Sequence, residues 1–297
     1  MSDETRRQAW RALVRSGRLL RVPAVYDGLS ARIAQEAGFP AVAFSGNAVS
    51  ASLLGMPDVG MLGMSENLEH VGRIARQLDI PVVCDADTGY GGVLNVVRTV
   101  QEFESAGIAA IHIEDQVTPK RCGLLPQGIP VVSLEEHAQK IRAAVKARRS
   151  PDFWIIARTD AKSMHGLEEA ARRGRAYVEA GADAVIVMGA NTPDELRYVA
   201  SVVRAPLVTV IQETPPTTEL TDAFLEEVGC VLAMHAGITR YAVVQALHEV
   251  LTALHRDHHT GSVRHRMASF DQYNQALGLQ RWLALESELL QPIDRQD

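Results

Sequence analysis

Four times along the chain a helical pattern runs into a glycine, and a short apolar run follows within a few residues. The stretches are "EAGFPAVAF" (36–44), "ESAGIAAIHI" (104–113), "EAGADAVIV" (179–187) and "EEVGCVLAM" (226–234). Glycine just past a helix end takes the left-handed conformation that stops a helix at little steric cost. The runs that follow are apolar on both faces, as strands buried in a parallel sheet are. Further runs of this kind, "RVPAVYD", "IPVVCDA", "FWIIART" and "APLVTV", bring the expected strands to eight. Amphipathic segments such as "ENLEHVGRIARQL", "VLNVVRTVQEFES", "LEEHAQKIRAAVKA", "LEEAARRGRAYVEA" and "TPDELRYVASVV" fall between most of them. Strands alternating with helices at this spacing form right-handed βαβ units. Eight such units in about 250 residues predict an α/β fold, a closed (β/α)8 TIM barrel. The competing fold is an open doubly wound sheet, but the G-x-G-x-x-G turn usual after its first strand is missing from this sequence.

The expected organisation is a single barrel domain over 1–297, with an N-terminal helix in 1–20 and a helical extension from about 262 to 297. The tail "SFDQYNQALGLQRWLALESELL" reads as one or two helices with more apolar surface than a lone barrel needs, which suits packing on a neighbouring subunit. A net charge of −6 without any long basic block argues against a nucleic-acid partner. The charged N-terminus lacks the apolar core of a signal peptide, and no apolar run approaches a membrane span. Cys84, Cys122 and Cys230 lie far apart, without the spacing of a disulfide framework or zinc site. These features predict a soluble, cytoplasmic protein with no membrane partner.

In a parallel barrel the chemistry sits where strands end and βα loops begin. Here the strand ends read "FSGN", "CDADTG", "IHIEDQ", "IARTDA" and "AMHAG", so Asp85, Asp87, His112, Glu114, Asp115, Arg158 and Asp160 are expected to crowd one mouth. Carboxylates packed that closely repel each other unless they keep their protons or share a cation. Hard oxygen ligands, no cysteine pair and only one nearby histidine favour Mg²⁺ or Mn²⁺ over zinc. Asp85 and Asp87 share side-chain parity along an extended chain, and Glu114 ends the next strand, so these three are the expected metal site. The structural alternative for an Asp-x-Asp pair is capping of the following helix. His112 either points into the barrel or is a satisfied core histidine.

The segment "DQVTPKRCGLLPQGIPVVSLEEH" is much longer than the usual two to six residues of a βα loop, which marks a lid or binding loop. It carries Lys120, Arg121, Cys122 and Gly123 together, and cationic neighbours favour a thiolate. Cys122 is therefore expected to be functional, whereas Cys84 and Cys230 sit on apolar runs.

The stretches "VYDGLSARIAQEAGFPAVAFSGNAVSASLLGMPD", "DADTGYGG", "HIEDQVTPKRCG", "VSLEEH", "IIARTDA" and "AGADAV" resemble the isocitrate lyase/phosphoenolpyruvate mutase superfamily. The small methylisocitrate lyases and their dimethylmalate lyase and phosphonomutase relatives are the most similar. The resemblance implies a Mg²⁺-dependent barrel whose last helix is exchanged between subunits of a homotetramer, a dimer of helix-swapped dimers. It implies that Asp85, Asp87 and Glu114 bind the metal directly or through water, with Asp58 nearby. Ser45, Gly46 and Asn47 hold the 2-oxo-acid carboxylate beside Phe44, and Arg158 and His112 contact substrate oxygens. Lys120 and Arg121 join the substrate-binding set, and Cys122 is the general acid of the lyases.

Three departures narrow that implication. Leu124 follows Gly123 where the lyases usually have histidine, Met188 stands where many have a metal-facing glutamate, and Val210 and Gln212 replace an Asn-x-[Thr/Ser] pair. Without those polar contacts a third carboxylate is left unpaired, so isocitrate and 2-methylisocitrate are disfavoured against a smaller or more apolar malate derivative. The expected reaction is C–C cleavage of a substituted 2-hydroxydicarboxylate to a 2-oxo acid and a carboxylate. The alternatives are an oxaloacetate decarboxylase, a phosphonopyruvate-type mutase or hydrolase, and a non-catalytic barrel that binds metabolites.

Overall fold

The computed structural model describes residues 3–125 and 128–290. Its eight strands are β1 (Leu20–Val25), β2 (Val42–Phe44), β3 (Val82–Asp85), β4 (Ala110–Glu114), β5 (Trp154–Thr159), β6 (Ala184–Val187), β7 (Leu207–Ile211) and β8 (Cys230–His235). They pair in sequence order, all parallel, and β8 closes on β1. The expected barrel is therefore observed.

The glycine repeat does what its chemistry dictates. Gly38, Gly107, Gly181 and Gly229 have φ of 90°, 85°, 105° and 78°. Each donates its N–H to a carbonyl three residues back, at 3.0, 3.2, 2.8 and 3.0 Å, which ends the helix and releases the chain toward the next strand. The helices Val93–Ser105 and Leu134–Ala147 cover the segments expected for them.

One end of the barrel is closed. The N-terminal helix is shorter than expected, Asp3–Val14, and its Trp10 is fully buried among strand residues such as Val22, Val83 and Ile156. The Trp10 ring meets Trp154, at the start of β5, edge to face at 5.9 Å. Arg6 Nη1 donates to Leu78 O, ahead of β3, at 3.3 Å. With the strand starts capped, access is left at the strand ends.

Register then decides which side chains meet at that end. Asp85 of β3 lies beside His112 of β4, and Glu114 of β4 beside Arg158 of β5. The chain falls into two compact units, Met1–Arg240 and Tyr241–Asp297. In the second, the tail forms two helices, Phe270–Ala276 and Leu279–Leu289, broken at Gly278 with φ 70°. Among the described residues no helix is long and apolar enough to cross a membrane.

Candidate active site

The turn after β3 is the most tightly specified part of the open end. Asp87 and Tyr90 hold positive φ of 47° and 59°, flanking Gly89 at 79°. The Asp87 N–H donates to Asp85 Oδ1 at 3.0 Å and the Gly46 N–H to Asp85 Oδ2 at 3.2 Å. Buried Asn67 clamps the turn from outside, donating to Asp85 O and Tyr90 Oη at 3.0 and 2.9 Å. A Cβ added at Gly46 would lie 2.9 Å from Asp85 Oδ2 and 3.2 Å from Asp87 Oδ1. The two carboxylates thus converge on one cradle that only glycine leaves open.

Two cations serve five buried carboxylates here. Lys120 Nζ lies 2.7 Å from Asp87 Oδ1 and 2.8 Å from Asp58 Oδ1. Arg158 grips Asp160 through Nε and Nη2 at 2.9 and 2.8 Å, and its Nη1 is 2.9 Å from Glu114 Oε2. Asp58, Asp85, Asp87, Glu114 and Asp160 are all less than a tenth exposed. Burial pushes the Asp87 carboxyl up to about 6 although Lys120 pulls it down, and burial drives Glu114 well above its usual range despite Arg158. Burial also raises Asp85, but His112, Lys120 and Arg158 outweigh it and hold that carboxyl below the usual carboxylate range. Burial pushes His112 below its ordinary value against the pull of Asp85. The Lys120 ammonium is disfavoured by burial, yet Asp87, Asp85, Glu114 and Asp58 raise it well above its usual pKa.

These residues fit a hard divalent cation. The donors are all carboxylate oxygens, Glu114 Oε1 is buried without a hydrogen-bond partner among the described residues, and the negative charge exceeds the positive. Asp85 and Asp87 would hold the ion beside Gly46, with Glu114 and Asp58 at its margin. Among the described residues, however, no three carboxylate, imidazole or thiol groups are already drawn round one point; the Lys120 ammonium bridges Asp58 and Asp87 instead.

Beside this cluster lies a cavity of about 70 Å³. Most of the polar groups in its lining come from β2 through β5 and their loops: Ser45, Asn47, Asp58, Asp85, His112, Cys122 and Arg158. The larger, apolar part comes from Ile186, Met188, Val210, Met234 and Ala236 on the β6–β8 side, with Leu124 of the long loop, and from Ala24 and Ala43 of β1 and β2. Phe44 lines the cavity as well. Half-buried Cys122 stands at the rim, its N–H donating to Asp58 O at 3.0 Å. Gly123 follows because a Cβ there would overlap Asp160 and lie 2.7 Å from Arg158 Nη2.

Not every expected residue reaches this space. His112 points into it, which resolves the two options left by its alternation. Asp87, Glu114 and Lys120 sit behind the lining rather than in it. Arg121 is exposed, and its N–H donates to Gln116 Oε1 at 2.8 Å. Gln212 turns away to Asn191 Oδ1 at 3.3 Å. Asp115 is a correction: it was expected at the mouth, but strand parity sends it outward when Glu114 points inward. Its carboxylate is fully buried between β4, β5 and helix Lys162–Glu179. Arg240, in the first turn of helix Ile238–Asp257, lines the cavity and was missed. The signal was there, a lone cation close behind the last strand in "AMHAGITR".

A closed parallel barrel that gathers carboxylates, a guanidinium and a thiol round one small cavity at its strand ends is built as a barrel enzyme for small anionic metabolites. Residues 10–255 match the phosphoenolpyruvate phosphomutase family, and the chain belongs to that family, within the isocitrate lyase/phosphoenolpyruvate mutase superfamily. It is 38% identical over 271 residues to 2,3-dimethylmalate lyase of Eubacterium barkeri, covering 91% of this chain and 93% of the relative. It is 37% identical over 254 residues to 2-methylisocitrate lyase of Shewanella oneidensis, covering 86% and 87%. Among solved structures it resembles a phosphonopyruvate hydrolase complexed with oxalate and Mg²⁺, with a TM-score of 0.86, 35% identity and coverage of 98% and 100%. The chain is an enzyme of this superfamily.

Proposed function

We propose that the protein is a Mg²⁺-dependent carbon–carbon lyase that cleaves an alkyl-substituted malate-type acid to a 2-oxo acid and a smaller carboxylate. The observation that carries this reading is that the polar groups of the cavity gather at β2–β5 and their loops and face an apolar wall at β6–β8, with Arg240 as the one charged lining residue beyond it among the described residues. A 2-hydroxydicarboxylate presents its hydroxyl and adjacent carboxylate to the polar groups, where Ser45, Asn47, Arg158 and neutral His112 offer hydrogen bonds. Its alkyl substituent lies against Met188, Val210 and Leu124, and its distal carboxylate reaches Arg240. A tricarboxylate would leave a charge unpaired at the apolar wall.

A cation held by Asp85 and Asp87 would supply charge stabilisation for the oxygen on the carbon whose C–C bond breaks, and Mn²⁺ is expected to serve in place of Mg²⁺. As neutral His112, in the cavity lining, takes the hydroxyl proton and the hydroxyl carbon becomes a carbonyl, the electron pair of the broken C–C bond passes into the distal carboxylate. Negative charge therefore grows beside Arg240, whose interaction strengthens toward the transition state. Cys122 Sγ–H at the rim then delivers a proton to the carbanionic carbon, and the surrounding apolar side chains keep water from it.

The similarity to a phosphonopyruvate hydrolase keeps phosphonate chemistry, and oxaloacetate decarboxylation, as rivals. A panel of malate, citramalate, dimethylmalate, methylisocitrate, oxaloacetate and phosphonopyruvate with Mg²⁺ tests the reading. Cys122→Ser should lower lyase turnover by roughly 10²-fold or more, while decarboxylation should survive it. Release of phosphate from phosphonopyruvate with no 2-oxo acid from any malate would overturn the proposal. The same reading makes the protein a cytoplasmic homotetramer with an exchanged last helix, supported by exposed Phe270, Trp282, Leu283 and Leu289 on the tail helices.

A further inference from the structure

The Asp115 carboxylate does not touch the cavity, yet it accepts from four donors. Its Oδ1 takes the Asp160 N–H at 2.9 Å, and its Oδ2 takes Thr159 Oγ1 at 2.7 Å, Tyr177 Oη at 2.8 Å and Arg173 Nη1 at 3.1 Å. Arg173 and Tyr177 belong to helix Lys162–Glu179, so three elements meet on one buried charge. Its backbone is equally committed. Asp115 N donates to Arg158 O at 3.2 Å, and Asp115 O accepts from Val132 N at 2.8 Å.

That last bond joins the two ends of the long loop carrying Lys120 and Cys122. The base of the loop is tied again by Val117 N to Pro130 O at 2.9 Å and by an antiparallel bridge between Gln116 and Val131. Arg173 Nη1 also donates to Val132 O at 2.8 Å. One guanidinium therefore holds the far end of the loop and the carboxylate at its near end. From the same carboxylate a second line runs inward. Asp115 fixes the Asp160 N–H, the Asp160 side chain grips Arg158 bidentately, and Gly123 packs on that pair.

We infer that Asp115, clamped by Arg173 and Tyr177, is a positioning residue that sets both the base of the Cys122 loop and the orientation of Arg158. A buried charge with all its donors in place has one low-energy arrangement, and removing a partner leaves polar groups that must move to be satisfied. Its effect on turnover rests on the roles proposed above for Cys122 and Arg158; its effect on the loop does not.

The test separates the two. Iodoacetamide labelling of the folded protein reads the loop without any substrate, because Cys84 and Cys230 are buried and Cys122 is half-exposed by comparison. Asp115→Asn and Arg173→Met should each speed Cys122 labelling by about tenfold or more, as loss of a charged hydrogen bond at the loop base requires. Arg173→Lys, which keeps the charge and a donor, should recover most of the wild-type rate. With a turned-over substrate in hand, kcat should fall about 10²-fold and KM much less. Should Asp115→Asn not fold, Tyr177→Phe removes one hydroxyl and no charge, and should still speed labelling a few-fold. Wild-type labelling rates in folded variants, with only a lowered melting temperature, would show that the cluster merely fastens the helix to the barrel and would overturn the inference. Faster labelling of the variants together with no lyase activity in the wild-type protein would count against the proposed reaction and leave the positioning role standing.

Discussion

Gly46→Ala is the perturbation that most directly questions the metal cradle. Gly46 opens helix Gly46–Leu54, with Ser45 as its N-cap. Its φ is ordinary, so alanine is allowed there, and alanine improves helix propensity by up to about 1 kcal/mol. The new methyl carbon would lie 2.9 Å from Asp85 Oδ2 and 3.2 Å from Asp87 Oδ1, whereas ordinary contact starts at 3.4 Å. Both carboxylates must therefore retreat, Asp85 by roughly half an ångström. Neither retreats freely, because Asp85 Oδ1 is held by the Asp87 N–H and its carbonyl by Asn67, and Asp87 Oδ1 is held by Lys120. Displacing a ligand in a packed interior typically lowers metal affinity about 10- to 100-fold. The expected result is a split: Mn²⁺ affinity, followed by spin resonance or calorimetry, falls by that factor while the melting temperature falls by only a few degrees, since the gain in helix propensity offsets part of the strain. Wild-type Mn²⁺ affinity in Gly46→Ala would mean that Asp85 and Asp87 do not hold the ion in the arrangement described, and the charge argument built on them would go with it.

Two further outcomes follow from buried side chains. Met188→Gln brings a polar amide into the apolar wall of the cavity and should lower kcat/KM for an alkyl-substituted malate by roughly tenfold or more, with a smaller loss for malate itself; equal losses on both acids would contradict the placement of the alkyl group. Burial, with Lys140 and Arg173 nearby, pushes His137 from 6.5 down to about 3. Because its folded pKa is depressed, its stabilising effect is fully present above pH 6.5 and is lost as pH falls toward 3. His137→Phe, which keeps a ring against Tyr177, should thus gain on wild type by roughly 1.4 kcal/mol per pH unit below 6.5. Denaturant midpoints at pH 6.5 and 5 that shift equally in both proteins would rule this out.

The barrel was legible because each of its signals is local. A glycine that needs positive φ, an apolar run and a 3.6-residue periodicity can all be read within a dozen residues, and Gly38, Gly107, Gly181 and Gly229 bear them out. The cluster of carboxylates was legible for the same reason, since strand ends carry it. Asp115 shows where local reading stopped short. Its acidity suggested the mouth, but parity relative to Glu114 assigned it to the outer face, and its true partners Arg173 and Tyr177 lie about sixty residues on, separations of 58 and 62. Arg240 escaped because its one signal, a single arginine close behind the last strand, belongs to no motif.

The substrate was hardest to read, and the cavity shows why. Its polar groups derive largely from continuous motifs, "FSGN", "CDAD", "PKRCG" and "IARTD", each a run in which several functional groups sit together. Its apolar wall is assembled from single residues, Leu124, Ile186, Met188, Val210 and Met234, that meet only when the sheet closes on itself. Replacing any one of them changes what fits without altering a motif or the fold. On the proposed reading, the residues assigned to the metal and to proton delivery need not change when the acid that fits does. On that reading, what this chain accepts depends on whether the substrate offers carbon or charge to Met188 and Val210, because charge placed against those side chains is left without a partner.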